Sequence, residues 1–180
     1  MASIFAHAFS AYALGKTFSK KIQTTKFWIL GILCAVLPDV DVIGFKFGIA
    51  YANFWGHRGF SHSLVFALFL GVMVTLLFYN KHIFQKTGIY LILYFTICTA
   101  SHGVLDAMTT GGLGIAFLSP FDNTRYFLPW RPIQVSPIGA SKFFGIWGIK
   151  VLLSEVIWIG IPASIYILVI RYFKKSISVE

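Results

Sequence analysis

Acidic side chains are scarce in this chain. Asp and Glu total 6 against 15 Lys and Arg, and charged residues make up 12% of the 180 positions. A soluble domain carries about 25%, so the shortage excludes an ordinary water-soluble fold. Cysteine is almost absent as well. Cys34 and Cys98 are the whole complement and both lie inside apolar runs, which reads as small buried hydrophobes and not as a disulfide framework. Neither H-E-x-x-H nor G-x-S-x-G occurs, which removes the common signatures of zinc proteases and serine hydrolases. Internal repeats and low-complexity tracts are also missing. The net charge of +9 does not indicate nucleic acid, because the basic residues are scattered among apolar runs and no binding module accompanies them.

What the chain has in abundance is apolar surface: 57% hydrophobic residues, 18% aromatic, and a mean hydropathy of +0.78. This composition specifies an integral membrane protein whose main partner is the lipid bilayer. Five hydrophobic stretches organise it. The first, Ser3 to Gly15, has 13 residues, short of the ~20 needed to span. It is expected as a partial or re-entrant helix among the others, and with no basic leader and with His7 inside it, it does not read as a signal peptide. The second runs from Phe27 to Phe45, with Pro38 expected to break it late. The third runs from Phe60 to Tyr79, the fourth from Gly88 to Met108 and the fifth from Ile149 to Ile170, with a kink expected at Pro162. A long connection, Thr109 to Gly148, rich in Gly, Pro and aromatics, precedes the last stretch and is expected to fold over something. The expected architecture is all-α: one polytopic membrane bundle over residues 1–180, with four to five hydrophobic helices.

If all five stretches cross, Lys16, Lys20, Lys21, Lys26, Lys81, Lys86, Arg171, Lys174 and Lys175 share one side. Lys46, Arg58, Arg125, Arg131, Lys142 and Lys150 fall on the other. The positive-inside rule then puts the first side in the cytoplasm.

The metal-capable residues gather on the less basic side. Asp39 and Asp41 end the second stretch, His57, Arg58 and His62 open the third, His102 and Asp106 end the fourth, and His7 lies near the start of the first. His102 and Asp106 are four apart, so a helix stacks them on one face. That spacing lets an imidazole and a carboxylate grip one ion, although a hydrogen-bonded pair inside the membrane fits it equally well. Two aspartates at Asp39 and Asp41 need a cation or an exit from the bilayer. His57 and His62, five apart, fit a loop followed by a helix capped by Ser61. His82 lies on the opposite side and is set aside. Ionisable residues in or beside a membrane are functional by default. Imidazole with carboxylate suits Zn2+, with Mn2+ or Fe2+ as further choices. Seven ligands exceed the needs of one tetrahedral ion, so two or more ions are expected. Such a centre activates water and steadies a phosphoryl or acyl transition state.

The blocks LPDVD (Leu37–Asp41), GHRGFSHS (Gly56–Ser63), SHGVLDAMTTGG (Ser101–Gly112) and FLPWRPI (Phe127–Ile133) resemble the bacterial membrane-bound metal-dependent hydrolase family typified by YdjM. That family is distantly similar to zinc-dependent phospholipase C and the S1/P1 nucleases, which also use an H-x-x-x-D pair on a helix. The resemblance implies a multi-pass protein of the bacterial inner membrane, and the charge distribution puts its site on the extracytoplasmic face. The resemblance also implies metal ligands at His7, Asp39, Asp41, His57, His62, His102 and Asp106. Asp39 or Asp41 would also be the catalytic base, and their spacing leaves the roles open. Arg58 would meet an anionic substrate group or pair with an aspartate. Arg125 and Arg131 would clamp phosphate or serve as lipid-facing anchors.

The leading expectation is a metal-dependent hydrolase that cleaves a phosphoester of a lipid or lipid-linked substrate. The alternative is a non-catalytic metal carrier or channel. One pattern of membrane lipid phosphatases places an arginine six residues before H-x-x-x-D, and Thr96 stands there instead.

Overall fold

The computed structural model describes residues 1–138 and 143–177. Helix α1 (Ile4–Gly15) begins where the Ser3 side chain accepts the Ala6 N–H, and it ends after 12 residues. At 1.5 Å per residue this is about 18 Å, well short of a membrane crossing. Helix α2 (Thr25–Val36) is capped by Thr24, which accepts from Phe27 N. Pro38 ends the α-helix as expected, with Val36 its last residue. Lacking an N–H for the carbonyl one turn back, it tightens the chain into a 3₁₀ helix, Leu37–Phe47, which closes on Gly48 in the left-handed region. Together, Thr25–Phe47 is long and apolar enough to cross.

Helix α3 (Leu64–Tyr79) is capped by Ser63, whose hydroxyl accepts from Phe66 N. The expected cap, Ser61, lies in a short 3₁₀ turn, Phe60–His62, and its hydroxyl donates to Asp41 instead. Helix α4 (Lys86–Ala107) is the central post, packed against α1, α2 and α3. The approaches are close because glycine allows them: a Cβ on Gly31 would overlap Tyr94, and one on Gly71 would overlap Thr96. The main core lies between α1, α2 and α4. Phe27 stacks on Tyr94 at 3.9 Å, with Phe95 and the free thiols Cys34 and Cys98 beside them.

The last stretch comprises α5 (Ile146–Glu155), a π-helical turn (Val156–Gly160) and α6 (Ile161–Ile177). The irregularity expected at Pro162 therefore falls one turn earlier. There the proline ring would strike the carbonyl of Trp158, and widening the turn makes room. Four helical segments are apolar and long enough to cross, with α1 as a shorter apolar helix beside them. No strand occurs among the described residues, so the fold is an all-α polytopic bundle.

The connection after α4 folds back over the bundle. Its Ile115 and Ile133 are fully buried. Ala116 N–H donates to Arg58 O, Leu128 N–H to Ala107 O, and Leu64 N–H to Phe117 O, which laces the connection onto the tops of α3 and α4. Lys142, counted above on the less basic face, lies outside the described residues. On the opposite face Lys174 Nζ donates to Lys16 O at 2.8 Å and to Phe18 O, tying the end of α6 to the end of α1.

Candidate metal centre

The fold delivers polar groups to one place from the start of α1, the α2-to-3₁₀ transition, the turn before α3 and the end of α4. His102 lies 16 residues into α4, about 24 Å from Lys86 against a hydrocarbon thickness of about 30 Å.

One group comprises Asp39, His62, His102 and Asp106, and a second comprises Asp41, His57 and His62; both have the chemistry and spacing to hold a metal ion. In the first group His102 Nε2 stands 3.0 Å from His62 Nε2 and 3.2 Å from Asp39 Oδ1. His62 Nε2 is 3.7 Å from Asp39 Oδ1 and 3.9 Å from Asp106 Oδ2. Ligands about 2.0–2.1 Å from a tetrahedral zinc lie about 3.3 Å from one another, so these separations bracket that value. His7 stacks on His102 at 3.8 Å and brings its Nε2 within 3.6 Å of Asp106 Oδ1.

The surrounding hydrogen bonds point each imidazole inward. His102 Nδ1 faces the carbonyl oxygen of Ala35 at 2.7 Å. A carbonyl only accepts, so Nδ1 carries the proton and the Nε2 lone pair is directed at the centre. His62 Nδ1 lies 3.2 Å from Asp41 Oδ2 and is fixed in the same way. Such carboxylate and carbonyl partners behind imidazoles are the usual outer shell of a metal site. Two atoms support the fit directly: His7 Nε2, which faces Asp106, and Asp39 Oδ1 are buried with no hydrogen-bond partner, a costly state that a cation would relieve.

The remaining candidates have other partners. Asp41 is saturated: it accepts from His57 Nδ1 at 2.6 Å, Ser61 Oγ at 2.6 Å and Arg58 N at 3.1 Å, besides facing His62. Arg58, fully buried, donates from Nε to Asp106 Oδ2 at 3.1 Å, from Nη1 to Gly111 O and from Nη2 to Thr109 Oγ1. Of its two expected partners, the structure gives it the aspartate. Arg125 donates to His57 O, Tyr51 O and Asn53 O, pinning the loop that carries His57. Arg131 is exposed and lies over the Phe127 ring at 4.6 Å.

Sequence reasoning did not single out Glu155. This carboxylate, buried at the end of α5, accepts from Ser3 N and, at 2.5 Å, from Ser3 Oγ. It thereby anchors the start of α1, where Ala2 N–H donates to Asp106 Oδ1 at 2.6 Å. A lone acid in the fifth apolar run was the available signal.

With the His102 Nε2 lone pair at 3.0 Å, the metal-free contact needs a proton on His62 Nε2. An entering ion must displace that proton. Zinc affinity should therefore rise with pH, with about one proton released per ion. Zinc titrations in buffers of different ionisation enthalpy measure this, and an affinity flat between pH 6 and 9 would contradict it.

The sequence profile of the family described as YdjM inner membrane protein matches residues 1–177. The inner membrane protein YbcI of Escherichia coli K12 is 37% identical over 165 residues, covering 92% of this chain and 94% of that one. YvsG of Bacillus subtilis strain 168, described as uncharacterised, is 33% identical over 96 residues, covering 49% of this chain and 55% of its own length. No solved structure matches. The family's description states a location and no chemistry, and similarity to phospholipase C or the S1/P1 nucleases is not among these matches.

Proposed function

The chain belongs to the YdjM family of inner membrane proteins, and on that premise we propose that it is a membrane-embedded metal-dependent hydrolase. Its substrate is a phosphoester of a lipid or lipid-linked molecule. The observation that carries the reading is the convergence of His62, His102, Asp39 and Asp106, with an unpartnered buried oxygen on Asp39 and with His7 stacked on His102 beside Asp106. One ion fits this set better than two, because every close donor around Asp41 is already in use. Zn2+ is the first choice, with Mn2+ or Fe2+ as alternatives.

When bound, the ion would polarise a phosphoryl oxygen and acidify water. The protein's own residues do the rest. Asp41 and Ala35 O hold two imidazoles in the correct tautomer. Arg58 balances the buried charge of Asp106. Asp39 is the most exposed member, its side chain at 11% where His62, His102 and Asp106 are at 0%. Substrate and water reach the centre past it, and it takes the proton of the attacking water.

The test is a screen of phospholipids and phosphomonoesters with purified protein carrying zinc, manganese or iron. Metal-dependent release that stops with chelator is the expected result. Asp39→Asn should keep most of its metal and lose rate by at least about a hundredfold. Asp41→Asn should instead weaken metal binding about 10- to 100-fold, because an amide nitrogen would face its ring of donors. Near-parental turnover by metal-loaded Asp39→Asn would remove Asp39 as the base.

The burial of all three imidazoles, at 3% exposure or less, favours a second reading: a non-catalytic intramembrane metal site in a carrier. Metal flux in proteoliposomes without turnover of any ester would select it.

A further inference from the structure

The basic face carries a built cavity unrelated to the metal centre. It measures about 760 Å³ and lies between the ends of α1 and α6, lined by Lys16, Ser19, Lys20, Gln23, Arg171 and Lys174 among others, with no acid among its lining residues. Gathering these cations is electrostatically unfavourable unless an anion joins them. The walls are nonetheless fixed. Lys174 Nζ donates to Lys16 O and Phe18 O, and Gln23 Nε2 donates to Gly15 O at 3.1 Å and Phe18 O at 2.7 Å. Lys16 lies over the rings of Tyr12 and Trp28 at 4.3 and 4.6 Å, and aromatics of this type mark the bilayer interface.

An apolar groove of about 490 Å³ lies further along the bundle between α1, α4 and the last helical stretch, lined by Leu14, Ile97, Val104, Ala163 and Tyr166 among others. Tyr166 hydrogen-bonds Thr17 between the groove and the cavity. Ile170, one turn on from Tyr166, lines the basic cavity. A basic hollow roomy enough for a lipid headgroup, next to an apolar groove, matches an amphiphile with an anionic head.

We propose that this cavity binds the headgroup phosphate of an anionic phospholipid, with an acyl chain along the groove between α1, α4 and α6. The cytoplasmic leaflet is rich in such lipids, and basic hollows between membrane helices recognise them. The site is independent of the metal reading.

The test uses the full chain in detergent, titrated with phosphatidylglycerol and phosphatidylcholine of the same acyl chains and read by native mass spectrometry. Phosphatidylglycerol should bind at least about tenfold more tightly. The double variant Lys20→Gln/Arg171→Gln, which changes two exposed side chains, should reduce the preference to about twofold. Ser19→Asp should reduce it too, and it keeps the local fold because aspartate serves equally as the cap that Ser19 provides to Lys21 N. Lys81→Gln/Lys86→Gln removes two charges from the same face outside the cavity and should change nothing.

Equal binding of the two lipids by the parent overturns the proposal. An equal loss in Lys81→Gln/Lys86→Gln also does, because it would show diffuse surface charge. Displacement of phosphatidylglycerol by millimolar inorganic phosphate would identify a soluble phosphoanion as the ligand and overturn the lipid assignment.

Discussion

Purified His102→Ala protein should retain less than about a tenth of the parental metal and lose phosphoester turnover with it. His102 is the hub of the centre. Its Nε2 faces both His62 and Asp39, its ring stacks on His7, and its Nδ1 proton is held by Ala35 O. Removing it leaves His62, His7 and the carboxylates with no ligand atom at the shared vertex, and no other element carries a spare imidazole to that point. Gln at the same position fills most of the volume and separates lost ligation from a cavity effect, so His102→Gln should show the same metal deficit with a smaller loss of thermal stability. Metal content measured on monodisperse protein alongside turnover decides the matter. Parental metal with unchanged turnover in both variants would remove His102 from the site.

The sites of the polar residues were legible because the membrane makes them conspicuous. A histidine or aspartate in an apolar run has no cheap place to go, so Asp39, His62, His102 and Asp106 stood out individually, and counting helix crossings put them on one side. Periodicity supplied the H-x-x-x-D pair on α4. Local backbone detail was less legible. Pro38 ends the α-helix as its chemistry requires, but the 3₁₀ continuation that satisfies the backbone and carries Asp39 and Asp41 inward has no signal in the spacing. Ser61 and Ser63 are chemically identical as caps, and only the position of Asp41 assigns one hydroxyl to a carboxylate and the other to the helix. The division between inner and outer shells was not legible at all. Asp39 and Asp41 differ by two residues, but one has an unpartnered oxygen and the other is ringed by donors. That difference arises from long-range packing of the GHRGFSHS loop, which spacing does not encode. Glu155 went unnoticed because nothing near it in sequence resembles a site. Its partner, Ser3, lies 152 residues away.

Arg58→Ala should cause the largest loss of stability of any single change at the centre. The residue is fully buried and adopts a left-handed backbone, φ 65, a conformation that costs a non-glycine residue free energy. The surrounding contacts compensate. Its Nε donates to Asp106 Oδ2, its Nη1 to Gly111 O at 2.7 Å and its Nη2 to Thr109 Oγ1 at 2.9 Å. It therefore joins the turn before α3 to the end of α4 and to the long connection. Truncation leaves the buried carboxylate with only the more distant Met1 ammonium, 4.0 Å from Oδ2, as a cation, a class of change worth about 3–5 kcal/mol. For a chain of this size that corresponds to a fall of roughly 6–20 °C in Tm. Arg58→Lys keeps the charge but not the fork, so it should fall between.

Two further measurements isolate the cause. In an Asp106→Asn background, Arg58→Ala should cost less than half as much, because no unpaired carboxylate remains. Saturating zinc should recover part of the loss in Arg58→Ala alone, since a cation at the centre replaces the missing charge and binds only the folded state. If Arg58 instead met an anionic substrate, its removal would leave Tm within about 2 °C of the parent and lower kcat/KM alone, and the pairing with Asp106 would then carry no structural weight.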